Sequence, residues 1–210
     1  MKEILLLILT VVLMVTLFSG CSSKVDMTFK ETTQTLKSTS VRKNNEDNSK
    51  ILVVYYSSTG TTKNVAETIA KVTGGDLFEL KPINPYSTSD LNYNDKSSRI
   101  FKEYNNIDLR DIELEYNTVD EWDLYDTVMI GYPIWWGNAA WTINSFVQLN
   151  NFEGKTVIPF CTSASSGIKD SENFLKSQNK TGNWKAGKRF SAGVSLNNIT
   201  KWIDELGLKK

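Results

Sequence analysis

The chain has 210 residues, in which 24 Lys and Arg balance 24 Asp and Glu, with two cysteines and no histidine. The missing histidine excludes Ser-His-Asp and Cys-His nucleophile systems and histidine metal sites, and the cysteine count excludes a zinc ribbon or a CxxC redox pair. Residues 50–210 carry 18 basic and 19 acidic side chains, so no basic field is available to attract nucleic acid.

Lys2 supplies a short positive start, and Ile4 to Phe18 is almost wholly apolar, broken by Thr10 and Thr16. The run is short for a spanning helix, which needs about 20 residues, and it suits the apolar region of an export signal. Leu17-Phe18-Ser19-Gly20-Cys21 resembles a bacterial lipobox, with Phe18 where Leu, Val or Ile is more usual. That resemblance implies a signal peptide over 1–20, a diacylglycerol on Cys21 and a location on the outer side of the cytoplasmic membrane. An uncleaved anchor helix would place the domain on the same side. No twin-Arg pair precedes the apolar run, so the expectation is export unfolded with cofactor bound afterwards. Residues 22–49 are rich in Ser, Thr, Lys, Asn and Asp. Such a segment buries too little surface to offset its ordering entropy, and with Cys21 it reads as a lipidated, disordered tether. The remaining stretch of roughly 160 residues has the size of one domain.

Ile51 to Tyr56 is a continuous apolar, β-branched run, the pattern of a strand buried on both faces in a parallel sheet. From Thr62, Val65, Ala66, Ile69, Ala70 and Val72 recur at helical spacing until Gly74-Gly75 stops them. Asp76 to Leu80 reads as a second strand closed by Pro82 and Pro85, and 90–105 as a helix. Then follow a buried strand at 128–131, a helix at 139–149, a strand at 156–161, a helix at 168–176, a short strand at 189–190 and a closing helix at 198–206. Strands alternating with helices predict an α/β doubly wound parallel sheet of five strands with helices on both faces. Ligands of such sheets bind outside the carboxyl ends of the strands, here the loops 57–62, 132–138 and 162–167.

Those three loops hold the unusual chemistry. Ser57-Ser58-Thr59-Gly60-Thr61-Thr62 runs from a buried strand into a helix. Its hydroxyls and amides, aided by the helix dipole, form a site for an anion held by neutral donors alone. The loop lacks the lysine of a Walker A loop and the glycine spacing of a dinucleotide turn. An ordinary N-cap turn would use the same residue types. In Tyr132-Pro133-Ile134-Trp135-Trp136-Gly137-Asn138, tandem tryptophans need either burial in the core or a flat partner such as an isoalloxazine ring. Cys161 ends a buried strand with nothing nearby to activate its thiol, and it reads as a small buried residue. The acidic stretch 108–126 reads as solvated surface without ligand spacing. Tyr86 and Tyr93, in the long segment after the second strand, are within reach of such a ring, and neither is assigned to it.

The phosphate-type loop and the Tyr-Pro-Ile-Trp-Trp-Gly-Asn segment, in this order and separation, resemble the flavodoxin-like family over essentially all of 50–210. More narrowly they resemble bacterial FMN-binding flavodoxins of the lipoprotein type. The resemblance implies that Ser57, Ser58, Thr59, Gly60, Thr61 and Thr62 cradle the FMN phosphate, Thr61 standing where many relatives have Asn. It implies that Pro133, Ile134, Trp135, Trp136, Gly137 and Asn138 line the ring. Thr162, Ser163, Ala164, Ser165, Ser166 and Gly167 match the third flavin loop. FMN is then the expected cofactor, with no metal. Three functions follow. The first is an oxidoreductase that takes electrons from a donor such as NAD(P)H and passes them to a small acceptor such as a quinone. The second is a pure electron carrier, a role usually filled by strongly acidic flavodoxins, unlike this near-neutral domain. The third is a non-enzymatic exported binding module, which the intact phosphate loop disfavours.

Overall fold

The computed structural model describes residues 50–210; the expected signal peptide, Cys21 and tether lie outside the described residues. Among the described residues no helix is long and apolar enough to cross a membrane. The elements in chain order are β1 (Lys50–Tyr55), α1 (Thr61–Thr73), β2 (Asp76–Glu79), α2 (Arg99–Asn105), β3 (Tyr125–Trp135), β4 (Asn138–Ala139), α3 (Asn144–Leu149), β5 (Thr156–Thr162), α4 (Lys169–Gln178), β6 (Asn183–Trp184), β7 (Lys188–Phe190) and α5 (Leu196–Glu205).

The parallel sheet runs β2-β1-β3-β5, with β6 and β7 both paired to the free side of β5. The five expected positions are therefore present. The fifth is split into two pieces, and β4 adds a seventh strand by folding antiparallel onto the end of β3. The split has a local cause. Lys155 and Val157 direct their carbonyls to the edge, accepting from Asn183 and Lys185 at 2.8 and 2.9 Å. The next position of that parity is Pro159, which has no N–H to donate. Pairing stops there and resumes at Phe160 with β7.

Side-chain alternation along β1 builds two cores. Ile51, Val53 and Tyr55 join Met129, Ile158 and Phe160 under Val65, Ala66 and Ile69 of α1 and Ile199, Trp202 and Ile203 of α5. Leu52, Val54 and Tyr56 join Val128, Ile130 and Tyr132 beneath α2, α3 and α4. Residue 131 must be glycine, because a Cβ there would lie 2.2 Å from the Phe160 ring tip, and that ring is fully buried. Gly131→Ala is expected to cost about 1–3 kcal/mol by overpacking. In urea unfolding, Phe160→Leu introduced together with it should restore part of the loss, the signature of coupled neighbours.

Two expected helices are shorter than their patterns. Over 92–98 the side chains of Asn92 and Asp95 take the backbone N–H groups of Asn94 and Ser97 at 3.1 and 2.8 Å. That competition keeps the segment in turns until Ser98 caps α2 by accepting from Phe101 N–H. At 139–143 the chain is spent on β4 and a 3-10 turn before α3 begins.

Candidate functional site

The strand order reverses between β1 and β3, so the crevice outside the carboxyl ends of these strands is the expected place for a ligand. β1 delivers Ser57–Gly60 to this edge and α1 leaves it. Gly60 occupies the N-cap position with φ 85° and ψ −16°, and no side chain caps the helix. The first-turn N–H groups have no partner within a helix, and no acidic residue lies in that turn to occupy them. Thr62 is buried, and its hydroxyl meets the Thr162 hydroxyl at 2.7 Å, tying the first loop to the third. The Ser57 hydroxyl oxygen is buried with no hydrogen-bond partner. Left so, it costs about 1–3 kcal/mol, which a bound acceptor or donor would offset. Ser58, Gly60 and Thr61 are half-buried and Thr59 is exposed.

The expected loop at 132–138 is corrected to a β-hairpin. β3 runs on to Trp135, Ile134 and Trp135 pair with Ala139 and Asn138, and Trp136-Gly137 form the two-residue turn. Their φ values of 44° and 80° are those of a type I′ turn, which matches strand twist. Trp136 is an unusual residue for that backbone, and aromatic neighbours secure it. Tyr104 stacks on it at 4.4 Å and 20°, and Tyr93 lies at 4.5 Å. The Trp135 indole is 2% exposed, enclosed by Tyr56, Tyr86 and Trp141 at 5.7, 5.2 and 4.8 Å. The two expected ring-lining indoles thus part company: Trp135 gives its side chain to the core. Pro133, Ile134, Trp136, Gly137 and Asn138 remain half-buried at the edge.

The third loop is held by Arg189 of β7. Its guanidinium donates to the Ser163 hydroxyl at 2.9 Å and to the Ser163 and Ala164 carbonyls at 3.0 and 2.6 Å. Ser163 in turn donates to the Ser166 carbonyl. Ala164, Ser165 and Gly167 are exposed, and Ser166 is half-buried. Cys161 is fully buried, and burial pushes its thiol up to about 12, as an inert core residue requires.

Glu103 of α2 holds this end of the molecule together. It is 4% exposed and accepts from the Tyr86 hydroxyl at 2.8 Å, the Trp141 indole N–H at 2.7 Å and Arg99 Nε at 2.6 Å. Arg99 also lies 3.9 Å over the Tyr86 ring. Burial, then the Glu103 carboxylate, push the Tyr86 phenol far above its ordinary range. Tyr86 and Trp141 both pack on Trp135, so Glu103 braces the hairpin from behind. Sequence reasoning missed Glu103 and Arg189. Each is one charge in an unremarkable element, and only the fold brings its partners together.

A sequence model of the flavodoxin family matches residues 50–206. The chain belongs to the flavodoxin family. Among solved structures, a protein designated a flavoprotein from Bacteroides eggerthii is 40% identical, with 77% of this chain and 99% of that one covered and a TM-score of 0.69. A second, from Bacteroides uniformis, is 37% identical over 74% and 98%, with a TM-score of 0.68. A flavoprotein from Lactobacillus acidophilus solved in complex with FMN is 24% identical over 67% and 93%, with a TM-score of 0.48. No curated protein matches the chain. Flavodoxin membership supports FMN as the cofactor, and the site fits that group: an uncapped helix N-terminus, a partnerless hydroxyl and a hydroxyl pair meet where its phosphate needs neutral donors.

Proposed function

We propose that the protein is an FMN-dependent oxidoreductase, held outside the cytoplasmic membrane through a lipid on Cys21, that passes electrons to a small acceptor such as a quinone. The observation that carries the FMN reading is the uncapped start of α1 beside the partnerless Ser57 hydroxyl. There Ser57–Thr62 would hold the phosphate by amide and hydroxyl donors. The hairpin turn Trp136-Gly137 with Asn138 of β4, and the loop 162–167, would bound the ring, the first fixed by Tyr93 and Tyr104 and the second by Arg189. FMN, when bound, supplies the redox chemistry, and the protein binds and orients it. The near-neutral charge of 50–210 favours a small uncharged acceptor over the docking of a strongly basic partner protein.

Titrating apoprotein with FMN while following tryptophan fluorescence is expected to give saturable one-to-one quenching, and absence of quenching overturns the FMN reading. Stopped-flow reduction by NAD(P)H and reoxidation by a menaquinone analogue then separate the enzyme from a carrier. Slow turnover with both, and a stabilised semiquinone on titration, would assign the carrier role instead. For the anchor, Cys21→Ser is expected to abolish palmitate labelling and release the protein from membranes. Unchanged labelling of that variant refutes it.

A further inference from the structure

The near-zero net charge of 50–210 conceals a separation. Residues 103–126 hold nine acidic side chains and one basic one, while residues 180–210 hold seven basic and two acidic. The basic stretch supplies β6 and β7, at the edge of the sheet beside β5, and α5. Between β7 and α5 opens a cleft of about 350 Å³ lined by Lys188, Arg189 and Lys201. Glu205 is the one carboxylate in the lining, so the three cations leave the cleft with an excess of two positive charges. Like charges gathered round one cleft repel each other, and an anion bound there relieves that repulsion.

The cations are within reach of solvent and uncommitted. Lys188 and Lys201 are exposed, and neither has an ion-pair partner among the described residues. Arg189 is half-buried. Its Nε and Nη2 hold Ser163 and Ala164, and its Nη1 has no hydrogen-bond partner among the described residues. Ser191 and Asn198, both exposed, add neutral donors to the lining. α5 starts at the cleft with no acidic residue in its first turn, so its dipole adds to the positive field. Position gives the cleft its interest. Through Arg189 it borders the third loop. Ser191 and Val194 also line a smaller cavity, of about 170 Å³, that reaches Thr61 and Asn64 at the start of α1, so the cleft leads on to the phosphate-type loop.

We propose that this cleft is an anion subsite that takes the diphosphate of a soluble dinucleotide, the class of molecule to which a nicotinamide donor belongs. Two negative charges close together match the excess of positive charge, whereas a single carboxylate would use only part of it. Phe190 and Trp202 line the cleft but are 4% and 5% exposed, too buried to stack on a base. The cleft therefore grips charge and leaves the rings of its ligand outside. That the ligand is the electron donor rests on the proposed function; the affinity of the cleft for diphosphate does not.

The test uses the full chain, loaded with FMN and labelled with 5-fluorotryptophan, in neutral detergent at low salt. The reporter is the Trp202 fluorine resonance, assigned with Trp202→Phe. Inorganic pyrophosphate and ADP-ribose are the probes. Adenosine, which has no phosphate, and dihexanoyl phosphatidylglycerol, a soluble anionic lipid, are the comparators. Both probes are expected to shift the Trp202 signal with dissociation constants of about 1 mM, and both comparators to bind at least about tenfold more weakly. A tenfold rise in salt should weaken the probes about tenfold, because exposed charges are screened. Lys188→Gln and Lys201→Gln should each weaken them about fivefold, and the double variant about 25-fold, with FMN affinity unchanged. Both side chains are exposed, and surface substitutions of this kind leave folding intact. An unmoved Trp202 signal, ADP-ribose no tighter than adenosine, or parental affinity in the double variant overturns the subsite. Phosphatidylglycerol as tight as ADP-ribose overturns it in favour of a lipid headgroup. Binding of ADP-ribose without reduction of the bound flavin by NAD(P)H would overturn the donor in the proposed function and leave this site standing.

Discussion

Gly60→Asp is expected to weaken FMN binding at least about 100-fold while leaving the apoprotein folded. A Cβ at residue 60 meets nothing within 4 Å, so the substitution meets no steric obstacle. The backbone cost at φ 85° is about 1 kcal/mol, because Asp visits the left-handed region more readily than most residues. What changes is charge. A carboxylate at the mouth of the anion site repels a phosphate by roughly 3 kcal/mol at an effective dielectric near 20, or about 100-fold in affinity. Gly60→Ala carries the backbone cost without the charge and should lose far less. Fluorescence titration of both variants, with circular dichroism on the apoproteins, checks the pair. An Asp variant within threefold of the parent would place the phosphate elsewhere.

Glu103→Leu is expected to lower the unfolding free energy by about 3 kcal/mol. Removing the carboxylate strands the Tyr86 hydroxyl and the Trp141 indole N–H, and it leaves the Arg99 guanidinium without its only ion-pair partner among the described residues. Each stranded neutral donor costs about 1–2 kcal/mol. The Arg99 share is smaller than for a fully buried pair, since its side chain is 27% exposed and water can solvate it. Glu103→Gln keeps one acceptor oxygen and should lose roughly half as much. Urea unfolding gives the energies. Tryptophan emission of the folded variants adds a local readout, because Trp135 and Trp141 are in edge contact beside this carboxylate. A Leu variant as stable as the parent would mean that Glu103 is not the brace of the hairpin.

The fold was legible where burial is continuous. Ile51–Tyr56, 128–131 and 156–161 are largely apolar runs between turn residues, and each became a sheet strand, β1 and β5 starting within one residue of the run and β3 three residues ahead of it. The phosphate-type loop was legible as a strand-to-helix turn because its conformation is local, a matter of which residues follow a strand and precede a helix. Three features were not. The β3–β4 hairpin carries Trp-Gly rather than Asn-Gly at its turn, so its chemistry gave no signal, and the aromatic stacking that secures Trp136 comes from residues far along the chain. The segment before α2 has helical spacing, but Asn and Asp side chains outcompete the helix for its N–H groups. The split edge depends on which side of β5 Pro159 faces, a parity that only the register decides.

That interrupted edge bears on how the molecule behaves among its own copies. A long unpaired strand is a template on which another chain can add by backbone bonding, the start of aggregation. Here a neighbour would find only two- and three-residue pieces, β6 and β7, with Lys185 and Lys188 in or beside the gap between them. The proline that breaks the ladder within the protein also denies a continuous one to any stranger, so the sheet ends in a surface that resists growth.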